Sequence, residues 1–171
     1  MTRSPAVVPA IALLAICCAT LAPAVSRAAD DPALQRHIDE WAALRSGSGP
    51  KADITIRVAL PAPHRGQLLV GLFDAVTPFP AGGRHLLNAV VAVTGPRTDY
   101  TFKDVPPGEY AIAVICDENA NGKLDMIFGM MPAEPVAASN DATGSYGPPK
   151  YAAAKFTLPP EGITMDMTCR K

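Results

Sequence analysis

Side chains that carry oxygen recur at alternate positions in one short stretch of this sequence, residues 117–125, which reads Asp-Glu-Asn-Ala-Asn-Gly-Lys-Leu-Asp. The residues at its first, third, fifth and ninth positions are Asp117, Asn119, Asn121 and Asp125. Calcium prefers about six to eight hard oxygen ligands, and alternate residues of a tight loop can all point at one centre. With Gly122 at the sixth position to permit a sharp turn, this is the spacing of the first nine positions of an EF-hand loop. The pattern predicts a calcium site.

The remaining calcium ligands have to come from the loop backbone and from the residues that follow it. Lys123 stands at the seventh position, where an EF-hand uses a backbone carbonyl, and Glu134 lies further along the same long loop. Phe128 occupies the twelfth position, where an EF-hand has a bidentate Glu, and no helix is predicted on either side. We therefore expect a weak site. The alternative is a metal-free turn, in which Asp and Asn side chains bond the loop's own backbone.

Catalysis by the same acidic side chains is the alternative function. A glycosidase uses two carboxyl groups, one as acid and one as base or nucleophile, and the 117–134 segment contains four. These are Asp117, Glu118, Asp125 and Glu134. However, carboxylates in a single loop more commonly face solvent or a metal, and no Gly-x-Ser-x-Gly elbow, phosphate-binding loop or His-Glu-x-x-His pattern occurs. The histidines lie elsewhere in the sequence, at His37, His64 and His85. We therefore expect no enzymatic activity.

The segment before the main domain, residues 29–50, predicts a short helix followed by a flexible linker. Asp31 can cap a helix that has Pro32 at its first position, and apolar residues then recur at helical spacing through residue 45. Residues 46–50 read Ser-Gly-Ser-Gly-Pro, which is typical of a linker. We expect Trp41 to pack on the domain or on a partner.

Residues 51–171 alternate between apolar and polar side chains and carry frequent turn signals. Seven strands are predicted, over residues 53–60, 67–74, 86–94, 98–105, 109–116, 151–158 and 163–169. No helical pattern separates these strands, and a long loop runs through residues 117–149. The predicted fold is an all-β, seven-stranded antiparallel Greek-key β-sandwich with a short N-terminal helix.

Residues 106–110, Pro-Pro-Gly-Glu-Tyr, lead into the fifth predicted strand. A Gly two residues before a Tyr at a strand start is typical of a tyrosine corner, in which the hydroxyl bonds an upstream backbone group. Tyr110 is therefore predicted to have a structural role.

Two cysteines, Cys116 and Cys169, fall on faces predicted to point into the core. Cys116 shares the parity of Tyr110 on the fifth strand, and Cys169 shares that of Met165 and Met167 on the last strand. In an oxidising compartment they can form a disulfide, which would stabilise the fold by about 4 kcal/mol on the chain-entropy model. The alternative is two buried thiols too far apart to bond.

An apolar run follows the acidic stretch directly. It consists of Met126, Ile127, Phe128, Met130 and Met131. Lining of the core is one interpretation, and a groove for a protein partner or a small-molecule ligand is the other.

Residues 1–28 predict a cleavable signal peptide. Arg3 precedes an apolar run over residues 6–22, and Ser26 and Ala28 are the small residues before a cut at Ala29. Removing this segment takes away two positive charges and lowers the formal net charge from −1 to −3. Nucleic-acid binding is not expected from such a chain. We expect a periplasmic or secreted protein with no membrane span after signal cleavage.

Ordered motifs across residues 53–169 resemble a bacterial family of unknown function, numbered 2141. They are Pro-Gly-Glu-Tyr at 107–110, the acidic stretch at 117–125, Gly-x-x-Pro-x-Glu-Pro at 129–135, Ser-Asn at 139–140 and Gly-Pro-Pro at 147–149. The resemblance implies an exported β-sandwich similar to prealbumin or to carboxypeptidase regulatory domains. The position before Asp117 is often His in that family and is Cys116 here, so no role of that His carries over. The resemblance implies no activity, and the predicted function is an exported accessory or binding module without catalysis of its own.

Overall fold

The computed structural model describes residues 31–80, 84–129, 131–145 and 147–171. The predicted signal peptide, residues 1–28, lies outside the described residues, as does Met130 of the apolar run. The cleavable signal therefore stays a prediction.

Helix α1, Pro32–Ser46, confirms the predicted N-terminal helix. The carboxylate of Asp31 accepts a hydrogen bond from the backbone two residues on, at 2.9 Å, which satisfies a free N–H of the first turn. Leu34 and Trp41 are buried, and Trp41 together with the partly buried Ile38 packs on the same core as the strands. Among the described residues, no helix is both long and apolar enough to cross a membrane.

The described residues form ten strands in three sheets. They are β1 Ala52–Ala59, β2 Gln67–Phe73, β3 Leu87–Ala92, β4 Arg97–Val105, β5 Glu109–Asp117, β6 Met126–Ile127, β7 Met131–Pro132, β8 Val136–Ala138, β9 Phe156–Thr157 and β10 Ile163–Thr168. One sheet has the order β10-β1-β4, and a second has the order β3-β2-β5-β8, with β9 also paired to β5. Strands β6 and β7 form a separate hairpin. The all-β prediction is confirmed, whereas the count of seven strands is not.

Two predictions of detail are wrong. Residues 151–158 do not form one strand: they form the short helix α2, Tyr151–Ala154, followed by β9. Three consecutive alanines favour a helical turn, and the Ala154 carbonyl accepts a hydrogen bond at 2.6 Å from the buried Ser139 hydroxyl. The predicted loop over residues 117–149 also contains β6, β7, β8 and a short 3₁₀ helix, Ser139–Asp141.

The pairing of β1 with β10 is parallel, so the prediction of a wholly antiparallel arrangement is wrong for these strands. Ile54 lies opposite Ile163, and Val58 lies opposite Met167. Parallel neighbours need a long connection. Because the rest of the domain connects β1 to β10, no hairpin turn dictates their relative direction.

The two larger sheets contribute to one hydrophobic cluster. Ile54, Ile56 and Val58 of β1 are fully buried there, together with Ile112 and Val114 of β5. The period-two alternation of the sequence therefore identifies the core-facing residues of these strands correctly. This core holds β5 in place, and the acidic stretch begins where β5 ends.

Candidate functional site

Asp117 is the last residue of β5, and its side chain is fully buried. Its carboxylate accepts hydrogen bonds from Gln67 Nε2 at 2.8 Å, from the Gly122 N–H at 2.8 Å and from the Asn121 N–H at 3.1 Å. Burial by itself would raise the pKa of Asp117, but these donors stabilise the charged form and the pKa lies below its ordinary value. Asp117 therefore holds the first turn of the loop as a carboxylate.

Gly66, just before β2, lets a second segment approach this residue closely. Its φ is +81°, and a Cβ at this position would lie 2.1 Å from the Asp117 carbonyl oxygen. Strand pairing then sets Gln67 directly opposite Asp117. Sequence reasoning missed both partners because they belong to the site only through the pairing of β2 with β5.

The middle of the loop is a set of turns closed by side chains. Asn119 Oδ1 accepts from the Asn121 N–H, and Asn121 Oδ1 accepts from the Lys123 N–H, each at 3.0 Å. The two amide Nδ2 groups converge on one oxygen, Asp125 Oδ2, at 2.7 and 2.8 Å. The two bonds to backbone N–H groups are of the kind that the metal-free alternative predicts, whereas the two bonds to Asp125 join side chains.

Glu134 lies against the loop although it stands nine positions after Asp125. It is 5% exposed, and its two carboxylate oxygens accept from the backbone N–H groups of Glu118, at 3.0 Å, and Asp125, at 3.2 Å. Glu134 therefore lies beside the loop and bonds its backbone, and its role as a calcium ligand stays a prediction. Lys123, predicted to offer its carbonyl, lies exposed in the same turn.

All six residues predicted as calcium ligands thus belong to one compact unit. Within the described ranges, no three side chains of His, Cys, Asp or Glu come close enough together to hold a metal ion. Calcium binding would require the Asn119 and Asn121 amides to turn their oxygens from the backbone toward a shared centre with Asp125. Gly122, with φ +80° and open space where a Cβ would stand, permits such a rearrangement of the turn.

A disulfide anchors the start of the loop. Cys116, one residue before Asp117, is bonded to Cys169, and both residues are buried. The Cys116 N–H also donates to the Pro135 carbonyl at 2.8 Å. Of the two alternatives for these cysteines, the structure contains the bond. The bond joins the end of β5 to the segment after β10, so it links the two larger sheets.

The apolar run after the loop forms the exposed hairpin β6–β7. Phe128 is 93% exposed, Met131 60%, Met126 44% and Ile127 43%. The Ala133 N–H donates to the Asp125 carbonyl at 2.8 Å, which fixes the base of the hairpin to the acidic loop. The interpretation of these four residues as core lining is therefore wrong, because all four side chains are exposed.

The comparison with protein families covers most of this architecture. The family described as an uncharacterized protein conserved in bacteria (DUF2141) matches residues 56–166. The chain belongs to this family. Comparisons with curated proteins and with solved structures found no match.

The DUF2141 match includes the acidic loop, Glu134 and the hairpin, while helix α1 and Cys169 lie outside it. Helix α1 nevertheless joins the domain through the tyrosine corner. Tyr110 Oη donates to the Pro106 carbonyl at 2.8 Å and accepts from Trp41 Nε1 at 3.0 Å. The predicted structural roles of Tyr110 and Trp41 are confirmed.

A second contact of α1 pairs His37 with Asp74, the residue after β2. The distance from His37 Nε2 to Asp74 Oδ2 is 2.5 Å. Burial tends to raise the pKa of Asp74, but hydrogen bonds from the Thr77 N–H and from His37 hold it below its ordinary value. His85 is half-buried against Phe73, and burial lowers its pKa. These contacts attach the helix and the loop after β2 to the domain, at a place that the sequence pattern did not indicate.

Proposed function

We propose that this DUF2141 protein is an exported, non-catalytic binding module that docks a protein partner or ligand on its β6–β7 hairpin, next to a loop that takes up calcium. The observation that carries the proposal is the exposure of the hairpin: four apolar residues lie in the open within six positions, and Phe128 is 93% exposed. A contiguous exposed apolar patch rimmed by charge is characteristic of an interaction site. The acidic rim is provided by the loop that ends at Asp125.

The donor set of the loop suits calcium. Carboxylate, amide and backbone oxygens are the hard ligands that this ion takes, and a site with few carboxylates and a flexible turn binds weakly. Asp117 is fully buried and its carboxylate is bonded to Gln67, Asn121 and Gly122, so its part in the site is to hold the loop in shape. Asp125 accepts both of its side-chain hydrogen bonds on Oδ2, so its Oδ1 is available for a cation.

Export and the finer fold assignment belong to the same proposal. A buried disulfide is typical of proteins that mature outside the reducing cytosol, and the pattern of residues 1–28 agrees with that compartment. We infer that the two larger sheets form a prealbumin-like Greek-key sandwich, which would display the hairpin at one end. The glycosidase alternative has no observation in its favour, since Asp117 and Glu134 both serve backbone N–H groups of the loop.

The calcium part is tested by thermal melting and calorimetric titration of the protein in chelator, calcium and magnesium. We expect millimolar calcium, but not magnesium, to raise the melting temperature, and Asp125→Asn to abolish the rise. Glu161→Gln, an exposed carboxylate after β9, is the matched control and should behave as wild type. An unchanged melting temperature in calcium contradicts the calcium part. Turnover on glycosides that disappears in Glu134→Gln would support the hydrolase instead.

The docking part is tested by placing a photo-crosslinking residue at position 128 in living cells. We expect a discrete crosslinked product there and none from position 76, since Val76 is also exposed, at 56%, but lies in the loop after β2. Equal crosslinking from both positions, or none from either, would argue against the hairpin as the docking surface.

A further inference from the structure

The free edges of the two larger sheets differ in how they are protected against pairing with another strand. Exposed edges are normally protected by charges, proline, bulges or shortness. Strand β4 carries Arg97, Asp99 and Lys103, strand β10 carries Asp166, and β8 has three residues. Strand β3, Leu87–Ala92, reads Leu-Asn-Ala-Val-Val-Ala and pairs with β2 without a register shift. It has none of these protections.

The hydrogen-bond alternation of an antiparallel ladder shows which groups of β3 point outward. The Val93 N–H donates to the Gly66 carbonyl, so the odd-numbered residues of β3 face β2. The backbone N–H and C=O groups of Asn88, Val90 and Ala92 therefore point away from the sheet. Within the described part of the chain, β3 has β2 as its sole neighbour.

The surroundings of this edge are uncharged and apolar. Residues 86–96 contain no Asp, Glu, Lys or Arg. Asn88, Val90 and Ala92 also direct their side chains to the exposed face, and Val90 is 63% exposed at the middle of the strand. A partner strand would meet no charge and would cover this valine.

We propose that β3 is a dimerisation strand, which pairs antiparallel with β3 of a second copy of this chain about a two-fold axis at Val90. In this register Val90 lies opposite Val90 of the second copy. Asn88 of each copy lies opposite Ala92 of the other. Each of these three pairs exchanges two backbone hydrogen bonds, so all the outward groups of Asn88, Val90 and Ala92 are satisfied. The two sheets join into one continuous sheet across the axis.

A second copy fits this edge better than an unrelated strand because the edge is complementary to itself. The three outward residues are symmetric about Val90, so a two-fold operation satisfies both partners at once. An uncharged edge does not repel its own copy, whereas Arg97, Asp99 and Lys103 of β4 are edge charges of the kind that discourage strand pairing. The contact is small, so we expect a dimer that depends on protein concentration.

The test uses protein purified after expression of the full chain and examined by sedimentation from about 1 µM to about 0.5 mM, a range that detects weak dimers. We expect a monomer–dimer equilibrium for wild type. Val90→Lys should weaken the dimer by about tenfold or more, because it places like charges about 5.5 Å apart between Cα atoms at the axis. Val76→Lys adds the same charge at another exposed valine and should leave the dimer intact. A protein that stays monomeric throughout the range overturns the proposal.

Hydrogen exchange of wild-type protein tests the register without any substitution. We expect the amides of Asn88, Val90 and Ala92 to be protected only at the high concentration. Those of Leu87, Ala89 and Val91, bonded to β2, should be protected at both. A dimer that leaves the three outward amides exchanging freely, or that survives Val90→Lys unchanged, has another interface and refutes the assignment.

Discussion

Replacing Tyr110 by Phe removes one hydroxyl at which helix α1 and the tyrosine corner meet. Tyr110 Oη accepts from Trp41 Nε1 at 3.0 Å and donates to the Pro106 carbonyl at 2.8 Å. Tyr110 is 2% exposed and Trp41 is 6% exposed, so water does not readily replace either hydrogen bond. The substitution leaves the ring in the core and deletes only the polar contacts.

The size of the effect follows from the two groups left without a partner. A buried donor or acceptor without a hydrogen bond costs about 1–3 kcal/mol. Since relaxation recovers part of this, we expect Tyr110→Phe to lower the free energy of unfolding by about 2–4 kcal/mol. Urea denaturation measures this, with the fluorescence of Trp41, the chain's single tryptophan, reporting on α1 and circular dichroism reporting on the sheets.

The matched control is Tyr100→Phe on β4, since the Tyr100 hydroxyl makes no hydrogen bond to any described residue. We expect that change to stay within about 0.5 kcal/mol. In a double-mutant cycle, Trp41→Phe and Tyr110→Phe should show a coupling of about 1 kcal/mol, because they share a hydrogen bond. A loss below about 0.5 kcal/mol for Tyr110→Phe, or complete additivity in the cycle, would refute the claim that this hydroxyl joins the helix to the domain.

Three further changes test the supports of the loop. Replacing Cys116 and Cys169 together by Ala should lower the free energy of unfolding by about 4 kcal/mol, and dithiothreitol should destabilise the wild type but not this variant. Asp117→Asn should destabilise by about 1–3 kcal/mol at pH 7. The pKa of Asp117 is lower in the folded state than in the unfolded state, where it is about 4. The stabilisation from its carboxylate is therefore fully present above that unfolded pKa and is lost as the pH falls through the folded pKa. The difference from wild type should therefore shrink in acid, and a constant difference down to about pH 2 would contradict this account. Ser139→Ala leaves the Ile112 N–H without its acceptor and should lower stability by about 1–3 kcal/mol in urea denaturation, whereas an unaltered midpoint would count against it.

The elements with strong local signals could be predicted from the sequence. Asp31 followed by proline marks the start of α1, because capping and a fixed φ act within one turn. The alternation along β5 identified Tyr110 and Cys116 as core residues, since a strand buried on one face repeats with period two. Both signals depend only on neighbours in the chain.

The features that the sequence did not predict depend on contacts between distant segments. Helix α2 stands where a strand was expected, and the Ser139 hydroxyl that bonds its last carbonyl lies on the 3₁₀ helix before it. Gln67 and Gly66 reach Asp117 only through the register of β2 on β5. The exposure of Phe128 also depends on the tertiary structure. A short apolar run has the same sequence pattern whether it forms an exposed hairpin or part of the core.

Strand β5 positions the candidate site, because it is held along its length and the acidic loop begins at its end. It begins at the Tyr110 corner, its Ile112 N–H is bonded by Ser139, and it ends at the Cys116 disulfide and Asp117. With β2 on one side and β8 on the other, its end is fixed before the acidic loop begins.

In the proposed function, calcium therefore acts on the residues after Asp117 and, through the Asp125 carbonyl, on the hairpin that carries Phe128. Calcium should accordingly alter the exposure of the hairpin far more than that of β5, and hydrogen exchange with and without the ion can measure this difference. Equal changes in both elements would show that the loop and the hairpin are not the coupled unit inferred here.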